Sequence, residues 1–488
     1  MPRRQGSGLG PRCRGCRMSR IVIVGGGISG LAIAWAIRRR EPRAEVLVLE
    51  RSARTGGNIR TEHVDGYICE SGPDGFLDNA QETLQLVRAV GLESSLLPSN
   101  DAARKRYIFL NGALREVPTS AGAFLRTPLL TTRGKLRVGC EPFAPRRVDP
   151  DESIYDFAAR RIGREAASVF VDSMVSGIFA GNSRDLSLRA CFPKMRQLED
   201  EHGGLFRGLV ATRRTRRKGD AVGAPSGTLT SFTGGLSDLI DCLTRRLDDV
   251  VRTSCPVLQL RKTRELHGYR SGWPPRSYSL VTGRVEVEAD AVILAGPSAE
   301  SAALLQGLNP VLASALAEIP SAPLAVVSLG YDAADLARRS SIDGFGFLVP
   351  RGQNIRILGA LWESSIYPNR APAGKALIRV MIGGACDPVA VALDDHSLVS
   401  HVRHDLARTM GLTCAPEFTR IIRHRRGIPQ YVRGHLERMR RIEALLQGHP
   451  GLFLAGNSYR GVSLNACVAD AEQIAERVLR LAAESSAA

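Results

Sequence analysis

Residues 21–30 read IVIVGGGISG, four apolar strand formers that run straight into a glycine turn. A second apolar run, Val46 to Leu49, ends at Glu50, twenty residues beyond Gly30. That spacing is the fingerprint of a strand–turn–helix unit that binds a dinucleotide. Gly25 lets the strand turn sharply, Gly27 lets the backbone approach a pyrophosphate, and Gly30 lets the following helix pack on the sheet. The pyrophosphate then lies against the first helical residues, Ile28 and Ser29, where unpaired N–H groups and the helix dipole favour an anion. Glu50 can accept hydrogen bonds from ribose hydroxyls, and its charge would repel a 2′-phosphate, which disfavours NADP.

A glycine fingerprint alone also fits a plain turn in any α/β sheet, so the neighbouring segments decide. Glu50 is followed by ERSARTGGNIRT, in which Arg54, Gly56 and Gly57 form a second glycine turn able to pass close to a cofactor seated on the first. The pairing resembles FAD-dependent oxidases of the amine-oxidase type. Near the other end, GLFLAGNSYRGVSLNACVADAEQIAERV gives a short apolar strand, a glycine turn and a long amphipathic helix. In those flavoproteins the corresponding segment returns to the first domain and sets backbone N–H groups against the flavin. The resemblance assigns Gly456, Asn457, Gly461 and Val462 to the cofactor, and Val257 with them. Ala291 to Leu294 supplies a further strand for the same sheet. No cysteine stands at 457–460, and Cys467 falls within the helix beyond, so FAD is expected to be bound non-covalently.

The chain has 488 residues, a formal net charge of +17 and a sequence pI near 9.9. The length holds two or three domains. Cofactor segments more than 400 residues apart require the nucleotide domain to be discontinuous. The positive charge sits on scattered arginines rather than on a basic helix with interleaved aromatics, so no nucleic-acid partner is expected. The only CxxC is Cys13 to Cys16, and neither the cysteines nor His63, His202, His401 and His404 have metal-ligand spacing; no metal is expected. No apolar run is long enough to span a bilayer. Residues 1–17 carry five arginines without the apolar stretch of a secretory signal and are expected to be a disordered extension.

Thr83, Leu86, Val87 and Val90 recur at near-helical spacing, and RKRYIFLNGALREVP (104–118) reads as a β-hairpin about Asn111–Gly112. From Ser120 to about Gly208 the periodicity is mainly helical. Within it, AGAFLRTPLLTTRGKLR interleaves Phe124, Leu125, Leu129 and Leu130 with Arg126, Arg133, Lys135 and Arg137 and contains no acid. That composition suits a surface resting on anionic lipid, or equally a helix pair packed on its own domain. Residues 211–227 read as a basic loop. Strand-like runs dominate from Ala325 to Gly384.

A more specific likeness lies in GIFAGNSRDLSLRACFP (177–193), with KRYIFLNGALREVP, SFTGGLSDLID, DGFGFLVP, RVMIGGA, GIPQYVRGH and AGNSYRGVSLNACV in the same order. These blocks resemble the oxygen-dependent protoporphyrinogen oxidase family, from Met18 to about Leu481. The resemblance implies an α/β fold: a discontinuous Rossmann-like FAD domain of the p-hydroxybenzoate-hydroxylase type, a β-rich substrate domain and a helical membrane-associated domain. Placed on this sequence, these are 18–100, 228–300 and 425–488 for FAD, 101–118 and 301–424 for substrate, 119–212 for the helical part, and 213–227 as a loop.

It also implies the chemistry. Six electrons leave a porphyrinogen in three two-electron steps, with oxygen as acceptor and hydrogen peroxide released. A meso carbon can lose hydride directly to flavin because adjacent pyrrole nitrogens stabilise the cation, so no protein nucleophile is needed and no catalytic side chain is assigned. By the resemblance Arg106 anchors a propionate, Phe345 and Leu348 sandwich the rings, Met381 lines the cavity, and the Gly177 carbonyl accepts pyrrole N–H groups. From the residues alone, Arg106 could pair with Glu116 across its hairpin, and Gly177 could simply end a helix. Protoporphyrinogen IX is the expected substrate. Coproporphyrinogen III is the alternative, because Arg104 and Lys105 beside Arg106 could meet extra propionates. A flavin- and porphyrin-binding carrier without turnover is a third reading. A cytoplasmic protein peripheral on the inner face of the cell membrane is expected, compatible with a homodimer and with product hand-off to a ferrochelatase.

Overall fold

The computed structural model describes residues 20–146, 149–213, 227–263, 277–283 and 285–487. The N-terminal extension, almost all of the basic loop at 211–227 and the segment 267–276 lie outside them.

The first apolar run forms the middle of a five-stranded parallel sheet, ordered Val251–Arg252, Glu45–Leu49, Arg20–Val24, Ala291–Leu294 and Leu452–Leu454. Both faces of this sheet are covered, which is why the run is apolar without alternation. Ile21 and Ile23 pack with Leu31, Ile33 and Ile37 of the helix Ile28–Arg40 and with Val468, Ile474 and Val478 of the C-terminal helix Leu464–Ala487. Val22 faces the opposite way, into Leu280, Leu312, Leu316 and Ile442.

A seven-stranded sheet runs Phe418–Pro429, Ser321–Asp332, Lys375–Gly383, Ile357–Leu361, Gly346–Leu348, Arg106–Leu110 and Ala113–Glu116. All of its pairs are antiparallel except Gly346–Leu348 with Arg106–Leu110. The expected hairpin is present, with Asn111 and Gly112 both at positive φ, as a tight primed turn requires. Its first strand is also held in parallel by residues far away in sequence, a pairing no local pattern announces. Alternation gives the sheet two faces. Ala325, Val327, Ile378 and Val380 point into a core closed by the helix Asp395–Met410, while Leu324, Val326, Met381 and Ile422 point the other way.

Residues 121–213 are predominantly helical. The centre of this lobe is charged. Arg161 pairs with Glu141 and with Glu199 (3.4 Å), and Arg160 pairs with Glu152 and Glu199, both at 2.7 Å. Glu141 also accepts the N–H groups of Leu205 and Phe206, which opens the helix Leu205–Arg213. Each buried charge is thus paired and hydrogen-bonded, the condition under which burial is tolerated.

Of the two readings of 121–137, the structure favours the helix pair packed on its own domain over the lipid-facing one. Leu129 and Leu130 are 1% and 4% exposed, and Phe124 packs partly against the same cluster with Ile108 and Val169. Arg137 turns inward, donating to the carbonyls of Arg160 and Arg161. Burying a leucine stabilises by about 1.5–3 kcal/mol, so residues flanked by Ile108 and Val169 go inside whatever charges adjoin them in sequence. Leu125 remains 70% exposed, joined by Leu136 at 69% and Phe143 at 83%.

Candidate functional site

Three glycine turns meet at the C-terminal edge of the parallel sheet. Gly25 has φ +114°, and a Cβ on Gly30 would collide with the Gly25 carbonyl oxygen, so this turn and helix fit together only without side chains. Gly27 forms a parallel bridge with Gly56, and Gly56 donates to the Gly26 carbonyl at 2.8 Å. A Cβ on Gly27 would meet nothing nearer than the Gly57 Cα, 4.0 Å away. Arg54 holds the second turn by donating to the carbonyls of Thr55 (2.9 Å), Ile59 (3.3 Å) and Gly57 (2.8 Å). Gly456, at φ +110°, lies against Ser29 and Ala295, which brings the C-terminal turn to the start of the first helix.

Glu50 is buried, and its two carboxylate oxygens accept from Gly26 N–H (2.7 Å) and Ser52 N–H (2.8 Å). Each oxygen keeps a second lone pair. Cys255 N–H donates to the Glu50 carbonyl at 2.8 Å, so the strand opening at Val257 begins two residues from Glu50's backbone. The donor set fits a dinucleotide: a helix N-terminus opening at Ile28, side-chain-free glycine backbone around it, and a fixed acid at the far end of the second strand. In the loop after Leu452–Leu454, Asn457 to Arg460 carry no thiol. Val462 packs towards Ile154 and Phe179 of the helical lobe. Cys467 is buried, and burial pushes its thiol up to about 11.

The residues assigned to substrate lie on or against one face of the seven-stranded sheet. Arg106 lies opposite Gly346 in register, and its guanidinium stands 5.2 Å from the Phe345 ring centroid. Among the described residues no carboxylate pairs with Arg106; Glu116 faces Tyr107 instead. The side chain is reachable by solvent yet ringed by protein, and desolvation lowers its pKa from the usual value. The pairing with Glu116 is therefore not formed. Leu348, two positions beyond Gly346, sits where a Cβ on Gly177 would lie 2.7 Å from Leu348 Cδ2. Gly177 does not end its helix: Asp172–Phe179 continues past it, and Ala180 takes the left-handed capping conformation at φ +47°. The Gly177 carbonyl lies in the last turn, where acceptors lack intrahelical donors. Met381 lies opposite Gly359 and Val326, beside Ala180 and Ile422.

The two regions adjoin. His424 Nε2 lies 2.7 Å from the Ser71 carbonyl; burial lowers the ring's pKa, so it is neutral and donates from Nε2. Asn58 Nδ2 reaches the Gly427 carbonyl at 3.5 Å. Arg379, two residues before Met381, pairs with Asp74 (2.5 Å) and Glu363 (3.5 Å) and donates to the Gly72 carbonyl. Polar contacts thus tie the chain after the second glycine turn to the strands carrying Met381 and Ile422, placing the apolar face beside the glycine turns.

Comparison with known proteins agrees with this geometry. Residues 28–479 match the family described as flavin-containing amine oxidoreductase. The chain belongs to that family. It is 34% identical to the protoporphyrinogen oxidase of Homo sapiens, over 94% of this chain and 98% of that one. It is 31% identical to the coproporphyrinogen III oxidase of Bacillus subtilis, over 92% and 95%. The crystal structure of a candidate protoporphyrinogen oxidase from Exiguobacterium superposes with a TM-score of 0.80 at 28% identity, covering 95% of this chain and 99% of that one. The protein is a flavin-dependent oxidoreductase with a mixed α/β fold. Among the described residues no metal-binding group of His, Cys, Asp and Glu occurs, and no helix is long and apolar enough to cross a membrane.

Several residues at the site carry no sequence signal of their own. Asp74 and Arg379 are 305 positions apart, and the Asn465 side chain, which bonds Thr83 and the Leu77 carbonyl, reads in sequence only as a helix N-terminal polar residue. Gln430 and Tyr431 lie just beyond a strand, and their buried contacts are with Phe179 and Asn457, 251 and 26 positions away.

Proposed function

We propose that this enzyme oxidises protoporphyrinogen IX to protoporphyrin IX, holding FAD non-covalently and using oxygen as final acceptor. The observation that carries the reading is Arg106: a guanidinium without an acidic partner among the described residues, partly desolvated, against the Phe345 ring on the sheet face that also carries Leu348 and Met381. An apolar face with an unpaired cation at its edge suits a flat apolar macrocycle with a carboxylate at one edge. Bound at the glycine turns, FAD would supply the two-electron acceptor and pass the electrons to oxygen. The chain's own residues bind and orient. Arg106 holds a propionate by charge-assisted hydrogen bonds, Phe345 and Leu348 fix the ring plane, Met381 fills the remaining width, and the Gly177 carbonyl accepts pyrrole N–H groups. The residues lining 18–100, 228–300 and 425–488 serve the cofactor, and 101–118 with 301–424 serve the substrate.

Protoporphyrinogen is preferred to coproporphyrinogen because each adjacent cation already has an acidic neighbour. Arg104 lies 3.0 Å from Asp101 and Lys105 pairs with Asp343, whereas Arg106 has no acidic partner among the described residues. Non-covalent FAD is supported by the thiol-free 457–460 loop and the buried, hard-to-ionise Cys467. Membrane contact through Leu125, Leu136 and Phe143, with Arg126, Arg133 and Lys135 nearby, belongs to the same proposal. Mixing FAD-loaded protein with protoporphyrinogen IX under anaerobic conditions is expected to bleach the flavin. A flavin that stays oxidised overturns the proposal.

A further inference from the structure

Two consecutive residues join the cofactor side of the site to its substrate side. The loop 457–461 leads from the strand Leu452–Leu454 to the C-terminal helix. The Tyr431 hydroxyl donates to the Asn457 carbonyl at 2.5 Å, and Gly461 N–H donates back to that hydroxyl at 2.6 Å. One buried hydroxyl therefore closes both ends of the loop. The Tyr431 ring stacks on His435, centroids 4.1 Å apart and planes 17° apart, and His435 Nε2 lies 3.2 Å from the Tyr459 carbonyl in the middle of the same loop. Burial lowers His435 to about 4, so its ring is neutral and donates from Nε2. Burial also pushes the Tyr431 phenol up, which keeps the proton that the bond to Asn457 requires.

Gln430 reaches the opposite way. Its amide donates to the Phe179 carbonyl at 2.8 Å, at the end of the helix that carries Gly177, and to the Ile428 carbonyl at 3.0 Å. The backbone is stitched to the same lobe. Ser187 N–H donates to the Tyr431 carbonyl at 2.8 Å, and Arg433 N–H donates to the Asp185 carbonyl at 2.9 Å. Segment 430–433 thus grips the Gly177 helix with one side chain and the 457–461 loop with the next. Other groups hold the loop as well: Ser298 N–H donates to Ser458 Oγ at 3.1 Å, His435 meets the Tyr459 carbonyl, and Arg460 pairs with Asp470 at 3.0 Å. Tyr431 differs from these in bonding both ends of the loop through one atom.

We infer that Gln430 and Tyr431 are positioning residues that set the separation between the Gly177 helix and the 457–461 loop, and with it the geometry of hydride transfer. The inference rests on the FAD reading of that loop. Neither residue needs to touch substrate. Hydride transfer demands near-contact alignment, so a displacement of about 1 Å slows it by roughly a hundredfold.

The test uses the FAD-loaded full chain. Tyr431→Phe keeps the ring and removes the hydroxyl. Loss of two neutral hydrogen bonds is expected to raise the FAD dissociation constant about tenfold or more, to shift the visible flavin absorption, and to slow anaerobic flavin reduction by protoporphyrinogen about tenfold to a hundredfold at unchanged KM. Gln430→Met keeps the shape and removes the amide. It is expected to retain parental FAD affinity and absorption while still slowing reduction. Tyr431→Phe with parental FAD affinity, absorption and reduction rate overturns the inference even if its Tm falls. So does Gln430→Met that reduces flavin at the parental rate, and this second variant decides the matter if the first does not fold. Failure of the parent chain to bind FAD is measured first and would overturn the FAD reading instead.

Discussion

Replacing Arg106 by alanine separates a substrate anchor from a structural arginine. The guanidinium has no acidic partner among the described residues, so its removal breaks no internal ion pair; only the contact with Phe345 at 5.2 Å is lost. A cation–π contact at an exposed site contributes roughly 0.5–1 kcal/mol, and removing a partly desolvated, unpaired charge offsets part of that. Folding stability should therefore stay within about 1 kcal/mol of the parent. Substrate binding should not. A hydrogen bond to a charged group contributes about 1.5–3 kcal/mol, which is roughly a tenfold to hundredfold change in affinity. The propionate carries the same charge before and during reaction, so the loss falls on KM and leaves kcat nearly unchanged. Arg106→Lys keeps the charge without the planar fork and should fall between the two. Steady-state porphyrin fluorescence across substrate concentration, with thermal unfolding in parallel, measures both quantities. A variant with parental KM and a markedly lower Tm would refute the reasoning and make Arg106 a structural residue.

Other outcomes follow from the same structure. Glu141→Ala strands the fully buried Arg161 with only the 3.4 Å contact to Glu199 as an ion pair, and should destabilise by about 3–5 kcal/mol in calorimetric unfolding; a change under about 1 kcal/mol would show the network to be dispensable. Glu70 is raised to about 7, chiefly by burial, so the folded state holds its proton more tightly than the unfolded state does. Its contribution to stability is full below about pH 4.5 and is lost as pH rises through about 7, a change of about 3 kcal/mol. Glu70→Gln should flatten the dependence of Tm on pH across that window, and an unchanged slope would assign the dependence elsewhere. Replacing Leu125, Leu136 and Phe143 together by serine should lower co-sedimentation with anionic liposomes while leaving FAD content intact, since each apolar side chain fully buried in lipid contributes roughly 1.5–3 kcal/mol. Equal liposome binding by variant and parent would remove this patch from membrane contact.

What the sequence revealed follows the range of the interactions. The glycine turns, the strand ending at Glu50 and the Asn111–Gly112 hairpin are local devices, in which backbone conformation and hydrophobic period are written in adjacent residues. The lipid reading of 121–137 fails at Leu129 and Leu130 because composition cannot tell an apolar residue facing membrane from one facing Ile108 and Val169, which are supplied from elsewhere in the chain. Arg137 was misread for the same reason, since its acceptors are carbonyls more than twenty residues on. At the site, Arg106 was named through a motif, but its lack of a partner depends on Glu116 standing opposite Tyr107, which only the strand register determines. The role inferred for Gln430 and Tyr431 needs three distant segments in place and has no linear pattern.

The central claim is flavin-dependent oxidation of a porphyrinogen. It is tested most directly by supplying FAD-loaded protein, in air, with protoporphyrinogen IX and with coproporphyrinogen III in parallel, and following porphyrin fluorescence and oxygen uptake together. Fluorescent porphyrin should form with three molecules of oxygen consumed per macrocycle, at a higher kcat/KM for protoporphyrinogen IX. A higher kcat/KM for coproporphyrinogen III would overturn the substrate assignment, and porphyrin formation no faster than autoxidation with either substrate would contradict the claim itself.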